Sequence, residues 1–315
     1  MSRQFTSVRD VPDVAHFIQT AQELKKNPLA YQHLGKNKTL GLVFMNPSLR
    51  TRLSTQKAAY NLGLQVLQIN ADQDSWALEM EDGAIMNGTK VEHIRDAAGV
   101  LGSYCDLLGL RCFPGLQSRE VDYSESVLNA FIRHSRLPFL SLESATLHPL
   151  QSLADALTIE EHRLTKRPKV VLTWAPHLKA LPQAVANSFA EWMGQLDVEF
   201  VVTHPPGYEL HPSYTVGARI EYEQAKALEG ADFIYVKNWS SYSQYGQVLC
   251  TDPCWMLTEA HLQSAPLAKI MHCLPVRRNV ELSDELLDGT RSLVQQQAEN
   301  RIYAAQTVLK YLLEG

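Results

Sequence analysis

Short runs rich in β-branched and aromatic residues alternate along this chain with longer segments of helical period, and the series occurs twice. Such alternation is typical of parallel sheets covered by helices. In the first half, strands are predicted at 39–45, 65–70, 105–111 and 138–142, and helices near 51–62, 92–101 and 124–134. In the second half, strands are predicted at 169–174, 199–204, 232–236 and 270–273, and helices near 181–193 and 220–228. The pattern predicts an α/β fold with two domains, each a mostly parallel sheet flanked by helices.

The boundary between the two domains is predicted near residue 145. The length of 315 residues agrees with two domains, because one hydrophobic core rarely organises more than about 250–300 residues. A helical segment near 150–163 lies between the two series, and Pro168 ends it before the next strand. We expect one domain at 1–145 and another at 146–296. Apolar residues at helical spacing in 299–313 predict a closing amphipathic helix.

Charge and cysteine content narrow the classes of function. The net charge of -5 leaves no general basic field for nucleic acid or an anionic membrane. The N-terminal residues lack the apolar core of a signal peptide, and no stretch reaches the roughly 18 apolar residues of a membrane span. The five cysteines are odd in number, and Cys250 and Cys254 lack a second pair of zinc ligands. We expect a cytoplasmic protein with reduced thiols, no bound metal, no nucleic acid partner and no membrane partner.

An oxyanion site is predicted at residues 46–52 (NPSLRTR), between a buried strand and a helix. Backbone N–H groups at a helix start converge on one point, and Ser48, Thr51 and two arginines add hydroxyl and guanidinium donors there. An N-capped helix with solvated arginines is the alternative. Neither GxGxxG nor GxxxxGK followed by Ser or Thr occurs, so a nucleotide cofactor is not expected.

Three further fragments lie at or near the ends of predicted elements. Residues 271–279 (MHCLPVRRN) close a predicted strand, Arg111 ends another, and residues 148–151 (HPLQ) open the helix between the domains. In open α/β sheets, ligands bind outside the carboxyl ends of the strands. Each fragment also has a plainer interpretation, such as a turn histidine before proline at His148 or a surface side chain at Arg111.

These fragments stand in the order found in a known family of enzymes. Residues 48–52 (SLRTR), Arg111, HPLQ and 272–278 (HCLPVRR), together with Trp76 and 299–301 (ENR), resemble the aspartate/ornithine carbamoyltransferase family over nearly the whole chain. Residues 174–177 (WAPH), 186–192 (ANSFAEW) and 237–239 (KNW) are similar to the branch that acts on N-acylornithines.

The resemblance implies an architecture and an assembly. The first domain would bind carbamoyl phosphate, the second would bind the N-acylornithine, and a C-terminal helix at 297–315 would return to complete the first domain. A knot is expected in the second domain around 177–188, as an exception to the rule against threaded loops. The family also implies a homotrimer with shared active sites, in which Trp76 comes from a neighbouring subunit. No cofactor is implied.

The resemblance also implies roles for individual residues. The expected catalytic residues are Arg50, Thr51, Arg111, His148 and Cys273. Carbamoyl phosphate is expected to contact Ser48, Leu49, Arg50, Thr51, Trp76, Arg111, His148, Gln151, Leu274 and Arg301. The N-acylornithine is expected to contact Val91, Glu143, His177, Lys237, Cys273, Leu274 and Arg278. Lys237 and Arg278 would bind substrate carboxylates. Glu143 would face the amino side of the substrate, while Cys273 and Leu274 would offer main-chain groups.

The implied reaction needs convergent hydrogen-bond donors more than a nucleophile. The carbonyl of carbamoyl phosphate must become a tetrahedral oxyanion, a charge that suits Thr51, Arg111 and His148. Cys273 as a covalent nucleophile is the alternative, although amine attack on an activated carbamoyl group needs no acyl-enzyme. The attacking amine resembles that of lysine, with a pKa of about 10.4, so its neutral form costs roughly 4.6 kcal/mol near pH 7. The departing phosphate is the expected proton acceptor.

The choice between a succinyl and an acetyl group on the substrate depends on Val91. By resemblance, acetyl-type relatives have glutamate at this position and succinyl-type relatives have proline, and Val91 places no negative charge against a succinyl carboxylate. Glu281 stands where acetyl-type relatives have lysine, and it either faces the acyl pocket, where it would oppose succinate, or lies on the surface.

We therefore expect carbamoylation of N-succinyl-L-ornithine to N-succinyl-L-citrulline, with release of phosphate, in arginine biosynthesis. N-acetyl-L-ornithine is the nearest alternative substrate, and ordinary ornithine or aspartate carbamoylation is a more distant one. The alternative of another class is a non-catalytic protein that binds phosphate or amino acids on the same scaffold.

Overall fold

The structure, a computed structural model, describes residues 3–71 and 77–315. The chain divides into two compact units. Unit 1 comprises Met1–Gly115, Glu120–Leu150 and Arg301–Gly315, and unit 2 comprises Leu116–Arg119 and Gln151–Asn300. The C-terminal segment Arg301–Gly315 therefore belongs to the same unit as the N-terminal part of the chain.

Unit 1 is built on a parallel sheet with the strand order β1-β7-β6-β2-β3. Its strands are β1 (Gln4–Phe5), β2 (Thr39–Phe44), β3 (Gln65–Asn70), β6 (Leu107–Arg111) and β7 (Phe139–Glu143), and β4 (Leu78–Glu79) pairs separately with β5 (Glu92–His93). Its helices are α1 (Val14–Lys26), α2 (Leu49–Asn61), α3 (Ile94–Tyr104), α4 (Arg119–Tyr123), which begins in unit 2, and α5 (Ser126–Ser135). Val43, Leu108, Leu110, Phe131 and Phe139 lie in its core.

Unit 2 is built on a second parallel sheet, with the strand order β10-β9-β8-β11-β12. Its strands are β8 (Lys169–Trp174), β9 (Glu199–Thr203), β10 (Arg219–Glu221), β11 (Phe233–Lys237) and β12 (Lys269–Met271). Its helices are α6 (Pro149–His162), which begins in unit 1, α7 (Ala184–Met193), α8 (Gln224–Leu228), α9 (Asp284–Leu287) and α10 (Val294–Leu313), which ends in unit 1. Short 3-10 turns occur at Val8–Asp10, Gln32–Gly35, Pro253–Trp255 and Glu259–Leu262. Val171, Ile234, Val236 and Ile270 lie in its core.

The predicted α/β class with two parallel sheets is confirmed, and two differences from the predicted elements have physical reasons. The predicted helix at 220–228 is wrong over its first part, because Arg219–Glu221 pairs with β9 as an edge strand and only Gln224–Leu228 is helical. Helix α1 was not predicted, although Asp13 caps it and Phe17, Ile18, Ala21 and Leu24 form a buried stripe.

In each sheet the chain adds strands first on one side of a central strand and later on the other side. In both sheets this switch occurs beside strands whose ends carry predicted site residues. In unit 1 the chain leaves β2 for β3 on one side and later enters β6 and β7 on the other. In unit 2 the corresponding change lies between β8 and β11. A crevice forms at the carboxyl ends of the strands at such a point. The residues that follow β2, β6, β8 and β11 are therefore placed where open α/β sheets bind ligands.

Candidate active site

Helix α2 begins at the segment where the sequence predicts an anion cradle. The Ser48 hydroxyl caps the helix by accepting a hydrogen bond from the Thr51 N–H at 3.3 Å. The N–H groups of the first turn have no partner inside the helix, so they present the positive end of the helix dipole. Arg301, in the C-terminal segment, donates from Nη2 to the buried Thr51 Oγ1 at 2.5 Å. The structure thus gathers Arg301 beside the turn made by Ser48, Leu49, Arg50 and Thr51.

A buried cluster of charged and polar side chains lies at the ends of β6 and β7. Arg111 and Glu143 pair in register across these strands, and the Arg111 Nη1 donates to Glu143 Oε2. The same carboxylate oxygen lies 3.4 Å from His148 Nε2. All three side chains are buried, and Arg111 Nε has no hydrogen-bond partner within the described ranges. A buried guanidinium N–H of this kind is suited to a ligand oxyanion.

Glu143 lies beside two other predicted site residues. Its carboxylate lies against the two side chains that were predicted to polarise the carbonyl, Arg111 and His148. Such an acceptor fixes a guanidinium fork and an imidazole in one orientation. The chemistry of Glu143 in this structure is therefore that of a partner for Arg111 and His148. The sequence offered no signal for this contact, because the three residues come from separate elements.

In unit 2, Lys237 and His177 lie at or just after the ends of two neighbouring strands. Lys237 ends β11 and pairs in register with Trp174, the last residue of β8. His177 follows β8 and accepts a hydrogen bond at Nε2 from Arg277 Nε, at 3.0 Å. A cavity of about 320 Å³ adjoins His177, and Pro176, Leu178, Met256 and Val280 also line it.

The turn after β12 is held by a buried histidine. The Leu274 N–H donates to His272 Nδ1 at 2.9 Å, so the proton of a neutral imidazole resides on Nε2. Leu274 has a φ of 55°, which is uncommon for a residue other than glycine. Cys273 is buried beside Tyr235. Burial, followed by the nearby Asp155 carboxylate and the Cys273 side chain, raises the pKa of Tyr235, which keeps its hydroxyl protonated.

Glu281, which was weighed as a surface residue, is buried. Its side chain is 1% exposed, and its Oε1 lies 3.7 Å from His272 Nε2. The Arg277 N–H donates to Glu281 Oε2 at 2.8 Å. Burial alone would raise the pKa of Glu281, but His272, the charge of Lys237 and the Arg277 N–H together lower it to about 2. The alternative that Glu281 lies on the surface is wrong, because the residue is buried. Its carboxylate compensates the positive charge of Lys237.

The remaining predicted residues are Arg278, Val91, Trp76 and Gln151. Arg278 Nη1 donates to both Asp284 and Asp288 at 2.7 Å, so its charge is balanced within the loop and helix α9 region. Val91 is 63% exposed and directly precedes β5. Trp76 lies outside the described residues. Gln151 is buried and donates to Asp155.

Within residues 3–71 and 77–315, no group of three His, Cys, Asp or Glu side chains could hold a metal ion. In the same ranges, no helix combines the length and the apolar character needed to cross a membrane.

Comparison with known families identifies the class of protein. Residues 3–161 match the carbamoyl-P binding domain of aspartate/ornithine carbamoyltransferases, and residues 182–312 match the Asp/Orn binding domain of the same enzymes. The chain belongs to the aspartate/ornithine carbamoyltransferase family and is a carbamoyltransferase. The predicted family resemblance is confirmed.

Individual relatives fall within the N-acylornithine branch. The chain is 52% identical over 315 residues to the N-succinylornithine carbamoyltransferase of Bacteroides fragilis, covering 99% of each chain. It is 34% identical over 298 residues to the N-acetylornithine carbamoyltransferase of Xylella fastidiosa, covering 88% of each. Its fold matches, with a TM-score of 0.91 and 31% identity, a crystal structure of an N-acetyl-L-ornithine transcarbamylase variant complexed with carbamyl phosphate and N-succinyl-L-norvaline, covering 98% of this chain and 99% of that one.

The buried charge of Glu281 predicts a specific acid sensitivity. A carboxyl whose pKa is lowered by folding stabilises the protein above its unfolded pKa, and this contribution is lost as the pH falls through the folded value. For Glu281 that window runs from 4.5 down to about 2. We expect Glu281→Gln to lower the free energy of unfolding by about 2 kcal/mol at neutral pH, with a smaller difference in acid.

Urea unfolding of both proteins across this pH range measures the effect. The exposed Glu285→Gln, four positions along the chain, is the matched control and should change the curve little at any pH. The difference in the free energy of unfolding between wild type and Glu281→Gln should shrink as the pH falls. If it stays constant or grows, Glu281 does not carry the assigned charge.

Proposed function

We propose that the chain transfers the carbamoyl group of carbamoyl phosphate to the side-chain amine of N-succinyl-L-ornithine. The products are N-succinyl-L-citrulline and phosphate, and the step serves arginine biosynthesis. The observation that carries the proposal is the placement of donors in unit 1: a helix start follows β2, the buried Arg111 ends the neighbouring strand β6, and the buried His148 follows β7. The likeness over the full chain to a succinylornithine enzyme supports the choice of acceptor substrate.

Unit 1 supplies the donor side of the reaction. The first turn of α2 and Arg301 bind the phosphate through N–H groups, hydroxyls and guanidinium forks. Arg111, His148 and Thr51 donate to the carbonyl oxygen, which gains negative charge as the amine attacks. Glu143 holds Arg111 and His148 in place for that step. Trp76 from a neighbouring subunit completes the site in this proposal.

Unit 2 supplies the acceptor side. Lys237 binds a carboxylate of the N-acylornithine, with His177 and Arg278 as further contacts, and Val91 of unit 1 is assigned to the acyl group. The turn at Cys273 and Leu274 contributes main-chain groups that bind the carbamoyl and amine groups. The amine must lose a proton, and the departing phosphate takes it. Much of the remaining acceleration comes from holding amine and carbonyl in line.

Val91 is the reason for assigning a succinyl group, and not an acetyl group, to the acceptor substrate. A succinyl group carries a carboxylate, and a glutamate at this position would repel it by roughly 3 kcal/mol at about 5 Å and an effective dielectric near 20. A glutamate-to-valine variant of an N-acetyl-L-ornithine transcarbamylase forms a complex with carbamyl phosphate and N-succinyl-L-norvaline. Buried Glu281 is balanced by Lys237 and His272, which reduces its repulsion of an anionic substrate.

A steady-state assay tests the function. Phosphate release is measured with carbamoyl phosphate and, in turn, N-succinyl-L-ornithine, N-acetyl-L-ornithine and L-ornithine. We expect kcat/KM to be highest for the succinyl compound, and Arg50→Ala should lower it by about 100-fold or more. A higher kcat/KM for N-acetyl-L-ornithine would make that substrate the correct one. Binding of carbamoyl phosphate without turnover of any amine would favour a binding protein.

The assembly we propose is a homotrimer with shared active sites. Several apolar side chains of unit 1 are exposed in the single chain, namely Leu49, Leu53, Leu67, Ile85 and Met86. Leu49 and Leu53 lie one turn apart on α2, and adjacent exposed apolar side chains are typical of surfaces that bind another chain. We place the enzyme in the cytoplasm, in agreement with its five free cysteines. The knot around 177–188 stays a prediction.

Subunit mixing tests the shared site. If Trp76 acts in a neighbouring subunit, then Trp76→Ala and Arg111→Met chains are each inactive alone, but they form intact sites when mixed. Random assembly of equal amounts in a cyclic trimer restores about one quarter of the wild-type sites. The measurement is carbamoyltransferase activity after the two variants are unfolded and refolded together. Absence of recovery, with trimers formed, would show that each site lies within one chain.

A further inference from the structure

We propose that Glu125 is a positioning residue that fixes His148 through the turn 144–147, and so places its imidazole for the hydrogen bond to the carbonyl of the carbamoyl donor. The inference rests on the proposed function, in which His148 donates to that carbonyl oxygen. It adds a residue outside the predicted site to the parts that the reaction needs. Glu125 itself touches neither the donor nor the amine in this account.

The side chain of Glu125 accepts four hydrogen bonds from the turn 144–147. Its Oε1 accepts from the Ser144 hydroxyl at 2.6 Å and from the Thr146 N–H and hydroxyl at 2.8 and 2.5 Å. Its Oε2 accepts from the Ala145 N–H at 3.3 Å. A carboxylate can accept about four hydrogen bonds, so this turn occupies the whole accepting capacity of the side chain.

Glu125 also has an unusual backbone conformation for a residue at the start of a helix. An N-cap residue is normally extended, whereas Glu125 precedes α5 with a φ of 51° and a ψ of 35°, in the left-handed region. Within the described residues, its side chain makes no capping hydrogen bond to α5. A strained backbone persists only where surrounding contacts hold it. The four hydrogen bonds from the turn 144–147 are contacts of this kind.

The turn 144–147 connects Glu143 to His148. Glu143 is fixed at the end of β7, where it pairs in register with Arg111 of β6. His148 directly precedes Pro149, the first residue of α6. One end of the turn is therefore held by the sheet, and the path of the turn sets where His148 lies. In the structure its Nε2 is 3.4 Å from the Oε2 of Glu143.

Hydrogen bonds inside the turn extend the hold of Glu125 to the residue before His148. The Ser144 N–H donates to the Leu147 carbonyl at 2.8 Å, and the Leu147 N–H donates to the Ser144 hydroxyl oxygen at 3.2 Å. That hydroxyl donates in turn to Glu125. Ser144 and Thr146 are buried, so loss of the carboxylate removes a partner from buried polar groups and favours a rearranged turn. Because His148 follows Leu147 directly, its imidazole would move with the turn.

Two ligands separate a positioning role from a structural one. Inorganic phosphate probes the first turn of α2, whereas phosphonoacetamide adds the carbonyl to which His148 donates. Dissociation constants are measured by calorimetry for wild type, Glu125→Ala and Asp10→Ala. Asp10 is the matched control, because its Oδ2 accepts from the N–H and hydroxyl of Thr6 and from the Ser7 N–H, in a segment without predicted site residues.

We expect Glu125→Ala to weaken phosphonoacetamide binding about tenfold and phosphate binding by less than about twofold, because only the carbonyl loses a hydrogen bond. Asp10→Ala should change both dissociation constants by less than about twofold. Equal weakening of both ligands by Glu125→Ala, or no weakening of either, would overturn the positioning role. If wild type binds neither ligand, the proposed donor site itself fails, which is a different result.

Kinetics show whether Glu125 acts through His148. In the wild-type background, Glu125→Ala should lower kcat for carbamoyl transfer about 30-fold, while the KM for the acceptor amine stays within about twofold. In a His148→Ala background the same substitution should cost less than about threefold, because the side chain that Glu125 positions is gone. An equal loss in both backgrounds would contradict the inference.

Glu125→Gly is the second variant if Glu125→Ala does not fold. Glycine adopts a φ of 51° without strain, so this variant keeps the backbone conformation and removes only the carboxylate. We expect it, too, to lower kcat about 30-fold. Glu125→Gln keeps one acceptor oxygen for the turn and should recover most of kcat. A glycine variant with the kcat of wild type would show that the carboxylate is not needed, and the inference would fail.

Discussion

Replacement of Arg111 by methionine is expected to lower kcat/KM for carbamoyl transfer by about 1000-fold, since loss of one preorganised oxyanion donor alone costs about 100- to 1000-fold. Arg111 is buried at the end of β6, and its Nε has no hydrogen-bond partner among the described residues, so it is available to a ligand oxyanion in the proposed site. Methionine has a similar length but neither charge nor N–H groups. The measurement is steady-state kinetics with saturating N-succinyl-L-ornithine and varied carbamoyl phosphate.

The same substitution leaves Glu143 as a buried carboxylate without its guanidinium partner. Breaking a buried pair in this way costs about 3–5 kcal/mol of stability. The double variant Arg111→Met with Glu143→Gln removes both charges, so it should regain stability without regaining activity. Thermal unfolding and kcat/KM, measured on the single and double variants, separate the two effects. A double variant with activity within about tenfold of wild type would show that Arg111 serves the fold alone.

Replacement of Val91 by glutamate is expected to lower kcat/KM for N-succinyl-L-ornithine by about 150-fold, the ratio that corresponds to roughly 3 kcal/mol of repulsion. The rate with N-acetyl-L-ornithine should change little, because the acetyl methyl carries no charge. Val91 is exposed in the single chain, so the substitution should not disturb the core of unit 1.

Val91→Gln is the matched control for this substitution, because it has the size of glutamate without its charge. It should retain most of the succinyl activity if repulsion is the cause. Competition between the two acyl substrates in one reaction measures the ratio directly. An unchanged ratio in Val91→Glu would place the acyl group elsewhere, for example in the cavity lined by His177 and Met256.

Several features of the fold could be predicted because they depend on neighbouring residues in the chain. Strands β3 and β8 lie at the predicted bounds, since each is a continuous run of strand-forming residues between turn signals. The cap at Ser48 was predictable for the same reason. The edge strand β10 was not, because its pairing with β9 is a tertiary contact that overrides helical spacing.

The class of fold and the family could be inferred from the amino-acid sequence alone, because local periodicity and short motifs carry them, and the same motifs predict an anion cradle at the start of α2. The tertiary structure was needed to show that Glu143 contacts Arg111 and His148, that Glu281 is buried near His272, and that Gln151 donates to Asp155. Charges and amides find their partners across strands and helices that are distant along the chain. Their burial and orientation therefore depend on how the elements pack, which local sequence does not encode.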